Sequence, residues 1–108
     1  DDTVDLRLPE AEVDDAGAVG EVLAVDGFGN AITNIPGTVV SERFGESVQV
    51  NGVRVSVRQA YAAVDAGDRL VTVGSHGNVE LAVNRGRGDD AFGVAAGGRV
   101  RLSLEVRE

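Results

Sequence analysis

Valine alternates with other residues on both sides of the dipeptide Asn51-Gly52, across the segment Ser47–Val57. A repeat of two residues is the spacing of a β-strand, whose successive side chains point to opposite faces. Asn-Gly is the favoured pair for the two-residue type I′ turn of a hairpin. The segment therefore predicts a β-hairpin with polar side chains on one face. The valines predicted on the other face are Val48, Val50, Val53, Val55 and Val57.

Other short apolar segments are separated by turn-forming residues, at the spacing of about 8–12 residues that is typical of small all-β domains. With the two arms of the hairpin, the predicted strands are Glu21–Val25, Ala31–Ile35, Ser47–Val50, Val53–Val57, Arg69–Val73, Val79–Val83 and Val100–Val106. Short helical turns are predicted at Thr38–Phe44, with Thr38 as N-cap, and at Asp89–Val94. We expect an all-β fold: a small antiparallel β-barrel or sandwich of about seven short strands with one or two short helical turns.

A chain of 108 residues has room for one such domain. Residues 1–17 are mostly polar and acidic, and we interpret them as a linker or a loosely held lead-in segment. A connector to another domain is the functional interpretation of this segment, and a frayed terminus is the alternative. Residues 18–108 are predicted to form the barrel-like domain.

Composition argues against several classes of function. The net charge is -8 and every basic residue is an arginine, without a basic stripe, so nucleic-acid binding is not expected. The chain has no cysteine and one histidine, so neither disulfides nor a metal site are expected. No apolar run reaches membrane-spanning length and no signal-peptide pattern is present, so we expect no membrane association and a cytoplasmic location.

The loop between the first two predicted strands is richer than a chain reversal requires. Gly27 and Gly29 flank Phe28, and the polar residues Asp26 and Asn30 lie at either end. An asparagine amide offers both a donor and an acceptor, which suits the edge of a flat polar ring such as adenine. Local alternatives exist: Asn30 stabilises its own turn, Phe28 is part of the core, and Asp26 is a turn residue at a strand end.

No catalytic constellation is evident in this sequence. The only histidine, His76, is adjacent to Ser75, and neighbouring turn residues rarely adopt the geometry of a nucleophile and its base. Gly86-Arg87-Gly88 lacks the lysine and hydroxyl residue of a phosphate-binding loop. Since no acid/base pair of carboxylates is apparent either, we expect no catalytic residue in this chain, and the sequence indicates binding.

Two segments together carry a resemblance to a known family. The first contains Asp26, Phe28-Gly29-Asn30 and Thr33-Asn34-Ile35, and the second is Gly74-Ser75-His76-Gly77-Asn78-Val79-Glu80-Leu81-Ala82-Val83-Asn84. In this order they resemble the two signatures of the S-adenosyl-L-methionine (SAM) hydroxide adenosyltransferases, or SAM hydrolases, which are related to fluorinases and chlorinases. The resemblance begins at Gly20 and corresponds to the family's C-terminal domain. The N-terminal domain would lie outside this chain.

The resemblance implies roles for individual residues. The matching asparagine contacts adenine, which assigns Asn30; the matching aspartate meets the methionine ammonium group, which assigns Asp26; and the matching serine binds the methionine carboxylate, which assigns Ser75. The candidate substrate-binding residues are Asp26, Phe28, Asn30, Tyr61, Ser75, His76, Glu80 and Val83.

Three of these candidates have structural alternatives that the residues alone leave open. Val83 shares its strand face with Val79 and Leu81, so it is equally a core residue. Tyr61 supplies either a stacking ring for adenine or a structural aromatic. Ser75 fits a plain hairpin loop as well as a carboxylate site.

The resemblance also indicates a branch of the family. The halogenating enzymes carry tryptophan where Ile32 stands and arginine where His76 and Val83 stand, so the hydroxide branch is implied. Its reaction is attack of water or hydroxide on the ribose 5′ carbon of SAM, which yields adenosine and L-methionine without a cofactor.

The family resemblance further implies a partner for this chain. The active site would form against the N-terminal domain, including that of a neighbouring subunit in a homotrimer, and this chain alone would be inactive. The alternatives are a non-catalytic β-barrel module for interaction or oligomerisation, and the C-terminal domain of a SAM-dependent halogenase.

Overall fold

The structure is a computed structural model that describes residues 10–59, 65–84, 86 and 88–104. Tyr61 lies outside the described residues, and so do the last two residues of the strand predicted at Val100–Val106. The strands are β1 (Glu12–Asp14), β2 (Gly17–Val25), β3 (Ala31–Pro36), β4 (Ser47–Val50), β5 (Val53–Val57), β6 (Arg69–Val73), β7 (Asn78–Val83) and β8 (Arg99–Leu104). A 3-10 turn spans Gly37–Val39, and a short helix, α1, spans Gly88–Phe92.

Seven of these strands close into a barrel in the order β2-β3-β7-β6-β5-β4-β8, and β8 pairs with β2 to complete the ring. All neighbouring pairs are antiparallel except β5 and β6, which run parallel. Strand β1 pairs with β2 and lies within the segment interpreted as a linker or lead-in. The predicted all-β barrel is confirmed, with one parallel pair that the strand pattern did not indicate.

The hairpin of β4 and β5 has the predicted register, with Val50 opposite Val53 across the turn. Asn51 and Gly52 both take positive φ angles, 51° and 87°, as a type I′ turn requires. The Asn51 side chain also accepts a hydrogen bond from the Arg101 backbone N–H at 2.8 Å, which ties the turn to β8. Four of the five predicted valines are buried, whereas Val53, next to the turn, is 45% exposed because the core ends there.

Aliphatic side chains from every strand of the ring fill the barrel. The largest fully buried ones in this core are Val22, Ile35, Val40, Val48, Val50, Val57, Val71, Val79, Leu81, Val100 and Leu102, whereas the equally buried Leu70 lies outside this cluster. Helix α1 packs against β6 and β7 and is tied to the barrel by Arg69, whose guanidinium Nε donates to the Ala91 carbonyl at 2.9 Å.

The helical segment predicted at Thr38–Phe44 is a single 3-10 turn, and the prediction of Thr38 as its N-cap is wrong. The turn begins directly after β3, because Gly37 donates its N–H to the Gly77 carbonyl at 2.7 Å. Pro36 occupies the capping position and no side chain caps the turn. A Cβ at Gly37 would collide with Val73, so the close approach of β3 to the β6–β7 turn requires glycine here.

Side-chain hydrogen bonds join β3 to β7 where their register is irregular, between Ile32 and Pro36. The fully buried Thr33 hydroxyl donates to the Val79 carbonyl at 2.7 Å, and the Asn78 side chain donates to the Thr33 carbonyl at 2.8 Å. These bonds replace ladder bonds that the irregularity interrupts. They link the two sequence signatures and fix the strands that carry the site.

Candidate ligand-binding cleft

An open cleft of about 610 Å³ lies between the β2–β3 loop and the β6–β7 hairpin. Its lining residues are Asp26, Phe28, Asn30, Gln59, Thr72, Val73, Gly74, Ser75 and Glu80. The volume is within the range of about 300–1,000 Å³ that is usual for small-molecule sites. Two smaller depressions, of about 300 and 310 Å³, lie along β1, β2 and β8 and contain no predicted site residue.

The β2–β3 loop is organised by the carboxylate of Asp26. Its Oδ1 accepts the backbone N–H groups of Phe28 and Asn30 at 2.9 and 3.0 Å, and its Oδ2 accepts the Asn30 side-chain amide at 3.1 Å. The Gly29 N–H donates to the Asp26 carbonyl at 2.9 Å, and Gly29 takes a φ of 86° that favours glycine. The loop is therefore held by its own polar side chains rather than by core packing.

Burial tends to raise the pKa of Asp26, but the hydrogen bonds that it accepts from Asn30 and Phe28 outweigh burial, and the pKa is lowered from its ordinary value. Asp26 is therefore an anion at neutral pH. The backbone N–H of Gly29 also contributes to lowering this pKa, so donors of this loop surround the carboxylate.

Asn30 is 94% buried at the back of this loop, since only 6% of its surface is exposed. Its side-chain bond to Asp26 shows that Asn30 stabilises its own loop, which was the structural interpretation of this residue. The ligand role of Asn30 stays a prediction.

Phe28 is 81% exposed at the tip of the loop, although it is one of the few aromatic residues in the chain. The core interpretation of Phe28 is therefore wrong, because its ring lies on the wall of the cleft and not in the barrel. An exposed phenyl ring on a loop fixed by hydrogen bonds is suited to stacking on a flat ligand.

Glu80 lies on the other wall, on β7, where it pairs with Thr72 of β6 and Ile32 of β3. A Cβ at Gly74 would collide with the Glu80 carboxylate, so glycine at this position leaves space for that carboxylate. Burial raises the pKa of Glu80, and the negative charge of Asp26 raises it further, while His76 opposes the shift. Two carboxylates thus influence each other across the cleft.

The remaining predicted site residues divide between the cleft and other locations. Ser75 is exposed in the β6–β7 turn and lines the cleft. His76 is exposed next to it but is not part of the lining, although its charge acts on Glu80. Val83 is buried on the strand face that carries Val79 and Leu81, but it is not part of the cluster of core side chains to which those two belong, so its ligand role stays a prediction. Tyr61 lies outside the described residues.

Sequence reasoning did not predict Gln59, Thr72, Val73 or Gly74 as site residues. A signal was available for Thr72, because a hairpin closed at residues 74–77 pairs it with Glu80. For Gln59, which follows β5, the sequence offers no comparable signal.

The cleft offers carboxylates, hydroxyls, amides and an aromatic ring, which are groups for binding. Among its described lining residues, none forms a hydrogen-bonded pair of nucleophile and base. Within the described part of the chain, no group of three or more histidine, aspartate or glutamate residues is arranged to hold a metal ion. A search of the same residues finds no helix long and apolar enough to cross a membrane.

Comparison with protein families gives a match that includes both walls of the cleft. The family described as SAM hydroxide adenosyltransferase C-terminal domain matches residues 20–101. The chain belongs to this family. The match contains the β2–β3 loop and the β6–β7 hairpin, so the two signature-like segments and the cleft lie within the domain that defines the family.

Two curated relatives are named (R)-S-adenosyl-L-methionine hydrolase. The protein from Thermus thermophilus is 44% identical over 96 residues, which cover 89% of this chain and 35% of the relative. The protein from Salinispora tropica is 37% identical over 100 residues, which cover 93% of this chain and 36% of the relative. The chain therefore spans about a third of the length of these relatives.

Solved structures have the same fold. A crystal structure of an uncharacterised conserved protein from Thermotoga maritima aligns with a TM-score of 0.84 at 31% identity, covering 91% of this chain and 40% of that one. A conserved hypothetical protein from Thermus thermophilus aligns with a TM-score of 0.68 at 43% identity, covering 89% and 38% of the two chains.

Proposed function

We propose that this domain forms the adenosine- and methionine-binding wall of an enzyme that hydrolyses SAM to adenosine and L-methionine. The observation that carries the proposal is the meeting of both signature-like segments in one cleft of the size of a small-molecule site. Family membership and the names of the two curated relatives support the same reaction.

The proposed contacts follow from the chemistry of each wall. Phe28 packs on the nucleoside, and the buried Asn30 amide recognises the edge of adenine. On the opposite side, the Ser75 hydroxyl and backbone N–H groups of its turn bind the methionine carboxylate, since these groups donate hydrogen bonds to an anion. Asp26, an anion held by its loop, attracts the ammonium group.

In the proposed reaction, the oxygen of water or hydroxide attacks the ribose 5′ carbon of SAM. The carbon–sulfur bond breaks, its electron pair returns to sulfur to give neutral methionine, and a proton leaves the attacking water. The sulfonium is already a good leaving group, so this domain contributes orientation and exclusion of bulk water. The residues that orient the nucleophile belong, in this proposal, to the family's N-terminal domain.

The assembly is part of the proposal. The cleft is open on one side, and the strongly exposed Phe28 lies at its edge, which supports closure by another protein surface. We infer that this surface is the N-terminal domain of the same enzyme, including that of a neighbouring subunit within a homotrimer. We further propose that the enzyme is cytoplasmic and that it uses SAM as substrate without a cofactor.

The test is to incubate the full-length protein that carries this domain with SAM, with and without chloride, and to separate the nucleoside products. Adenosine formed at the same rate with and without chloride is the expected result. A chlorinated nucleoside would indicate a halogenase instead. A folded protein without turnover would contradict the proposal and favour a non-catalytic interaction module.

The Asn30→Ala variant tests the assignment of the adenine contact. We expect adenosine to bind at least about tenfold more weakly, because a buried amide that satisfies a polar edge contributes roughly 1–3 kcal/mol. Asn51→Ala is the control, since Asn51 also holds a turn but lies outside the cleft. Unchanged adenosine affinity in a folded Asn30→Ala protein would contradict the assignment.

A further inference from the structure

The outer face of the sheet formed by β1, β2 and β8 is a surface that the proposed function does not use. Directly opposed residues of antiparallel strands point to the same side of a sheet, so the register places Glu12, Val19 and Arg101 in one row across this face. Their sequence neighbours Ala18 and Leu102 are buried in the barrel core. Because successive side chains of a strand point to opposite faces, the row of Glu12 faces solvent.

The charges on this face are separated by strand. Exposed carboxylates lie on β1 at Glu12 and Asp14, and just before it at Glu10. Exposed guanidinium groups lie on β8, at Arg99 and Arg101. The two strands are two strand spacings apart, roughly 10 Å, and no ion pair joins them within the described part of the chain. The face therefore has an acidic side and a basic side.

Strand β2 forms the floor of a groove between these two sides. Gly17 has no side chain, and Val19 is only partly buried and is not part of the cluster of core side chains. The depressions of about 300 and 310 Å³ lie along this floor, and both are lined by Glu12 and Val19. A small apolar centre between charged borders is the usual anatomy of a protein interface.

This face is complementary to itself under one two-fold rotation. When two copies meet face to face about an axis parallel to β2, the acidic β1 of each copy lies over the basic β8 of the other. Glu12, Val19 and Arg101 lie at one height along the strands, so Glu12 of each copy faces Arg101 of the other, and Val19 meets its counterpart at the axis. A two-fold axis across the strands would place β1 over β1, where like charges repel.

We propose that the face formed by β1, β2 and β8 binds a second copy of this chain about a two-fold axis parallel to β2. In this contact Glu12 pairs with Arg101 of the second copy, and Glu10 pairs with Arg99 of the second copy. Each pair occurs twice, because the same surface is used by both copies. The inference is independent of the proposed function, since none of these residues lines the candidate cleft.

The size of the face indicates a weak association. Three strands span roughly 14 Å, and the five paired residues of β2 span about 17 Å, so the face covers about 240 Å². A standard interface buries roughly 800 Å² on each partner. Charge pairs at a surface also lose their attraction in salt, because the Debye length falls from about 10 Å at 0.1 M to roughly 3 Å at 1 M.

The test is sedimentation velocity of the full-length protein that carries this domain, over a range of concentrations at low salt and in 1 M NaCl. We expect the mass of the wild-type assembly to double as its concentration rises at low salt, and the association to weaken at least about tenfold at the high salt concentration. A mass that stays constant over this range at low salt would overturn the second copy as the occupant of the face.

Charge reversal tests the specific pairs. Glu12→Arg and Arg101→Glu should each weaken self-association at least about tenfold, because the two-fold axis turns two attractive pairs into two repulsive ones. Overall charge predicts opposite effects instead, since the first substitution reduces the net charge of -8 by two units and the second increases it by two. In an equimolar mixture of these variants opposite charges face each other again, so mixed assemblies should form with about the wild-type affinity.

Asp68→Arg is the matched control, since it makes the same change of charge as Glu12→Arg at an exposed position outside this face. Its self-association should stay within about twofold of the wild-type value. If a variant of the first pair fails to fold, Glu10→Arg and Arg99→Glu repeat the exchange at the adjacent depression. Absence of mixed assemblies from folded variants, or equal weakening by Asp68→Arg, would overturn the inference.

Discussion

Replacing Asp26 with asparagine tests whether the β2–β3 loop is held by the bonds described above. Asparagine keeps an oxygen that can accept the Phe28 and Asn30 backbone N–H groups, so that part of the loop survives. Its amide nitrogen, however, would face the amide nitrogen of Asn30, where the wild-type protein has a bond of 3.1 Å. Two donors cannot bond each other, so the substitution removes this bond and weakens the other two by removing the charge.

The expected cost is about 1–2 kcal/mol of local stability. A hydrogen bond to a charged group contributes roughly 1.5–3 kcal/mol, and solvent screening at the partly exposed Asp26 reduces that value. The assay is amide hydrogen exchange at Phe28 and Asn30, whose N–H groups bond directly to the carboxylate. Their protection factors should fall by about five- to thirtyfold, the equivalent of this loss.

Asp14→Asn is a matched control for this experiment. Asp14 also accepts two backbone N–H groups with one oxygen, from Ala16 at 2.8 Å and Gly17 at 3.1 Å, in the turn between β1 and β2. Asparagine supports both of these bonds, so the loss of protection should correspond to less than about 0.5 kcal/mol. Equal effects of the two substitutions, or unchanged exchange in Asp26→Asn, would refute the argument for the Asp26–Asn30 bond.

The pH dependence gives the same prediction a second readout. Because hydrogen bonds lower the pKa of folded Asp26 below its ordinary value of 3.8, Asp26 adds stability that is fully present above that pH. This contribution is lost as the pH falls through the folded pKa. The Asp26→Asn protein should lack that part of the acid transition, which a urea titration at several acidic pH values measures.

Three further predictions concern the two walls of the cleft. Phe28→Ala should weaken nucleoside binding about two- to tenfold, because stacking contributes roughly 0.5–1.5 kcal/mol, and should change the unfolding free energy by less than about 0.5 kcal/mol. Thr33→Val should lower the unfolding free energy by about 2–4 kcal/mol in a denaturant titration, because the Val79 carbonyl and the Ile35 backbone N–H both lose their hydrogen-bond partner. Thr33→Ser keeps the hydroxyl and should retain most of the wild-type unfolding free energy. Glu80→Gln should raise the melting temperature at neutral pH. The pKa of folded Glu80 is raised, so the wild-type protein loses stability as the pH rises from 4.5 through that folded pKa, and glutamine does not ionise. An equal gain in melting temperature below pH 4.5 would contradict this reasoning.

The fold was predictable wherever short-range patterns determine it. The alternation around Asn51-Gly52 gave the β4–β5 hairpin in its correct register, because turn type and side-chain period are both local properties. Closure of the barrel depends on β8 pairing with β2, far away in sequence, and the parallel pairing of β5 with β6 is also long-range. No periodicity in a single strand encodes such pairings.

The same distinction holds for the helical turns. A threonine before an apolar segment is an ordinary N-cap signal, and it failed at Thr38 because a tertiary contact took precedence. Gly37 bonds to Gly77, in a turn forty positions further along the chain, and this bond sets where β3 ends. Sequence reasoning placed a turn here and missed its start.

The candidate site was predictable where one loop carries it. Asp26, Phe28 and Asn30 follow one another within five positions, and their types alone indicated a binding loop. The bond between the Asp26 and Asn30 side chains was not predicted, although a role of Asn30 in its own turn was one of the two interpretations. Thr72 was missed because its hydroxyl becomes a site group only through the register of β6 with β7.

Residues of the cleft can affect ligand binding in two ways: by contacting the ligand, or by holding the β2–β3 loop in place. The β2–β3 loop depends on Asp26 for its own hydrogen bonds, so an Asp26 variant that loses methionine affinity has also lost part of the loop that presents Phe28. Such a result would not identify the group that contacts the ammonium. Glu80 and Thr72 lie on paired strands of the barrel, and substitutions there leave the loop bonds in place. A change in SAM affinity in a Glu80 variant therefore reports on the strand wall of the cleft, whereas amide exchange at Phe28 and Asn30 reports on the loop. If the strand wall contacts SAM as proposed and the loop positions Phe28, substitutions at the two places should change these two readouts independently.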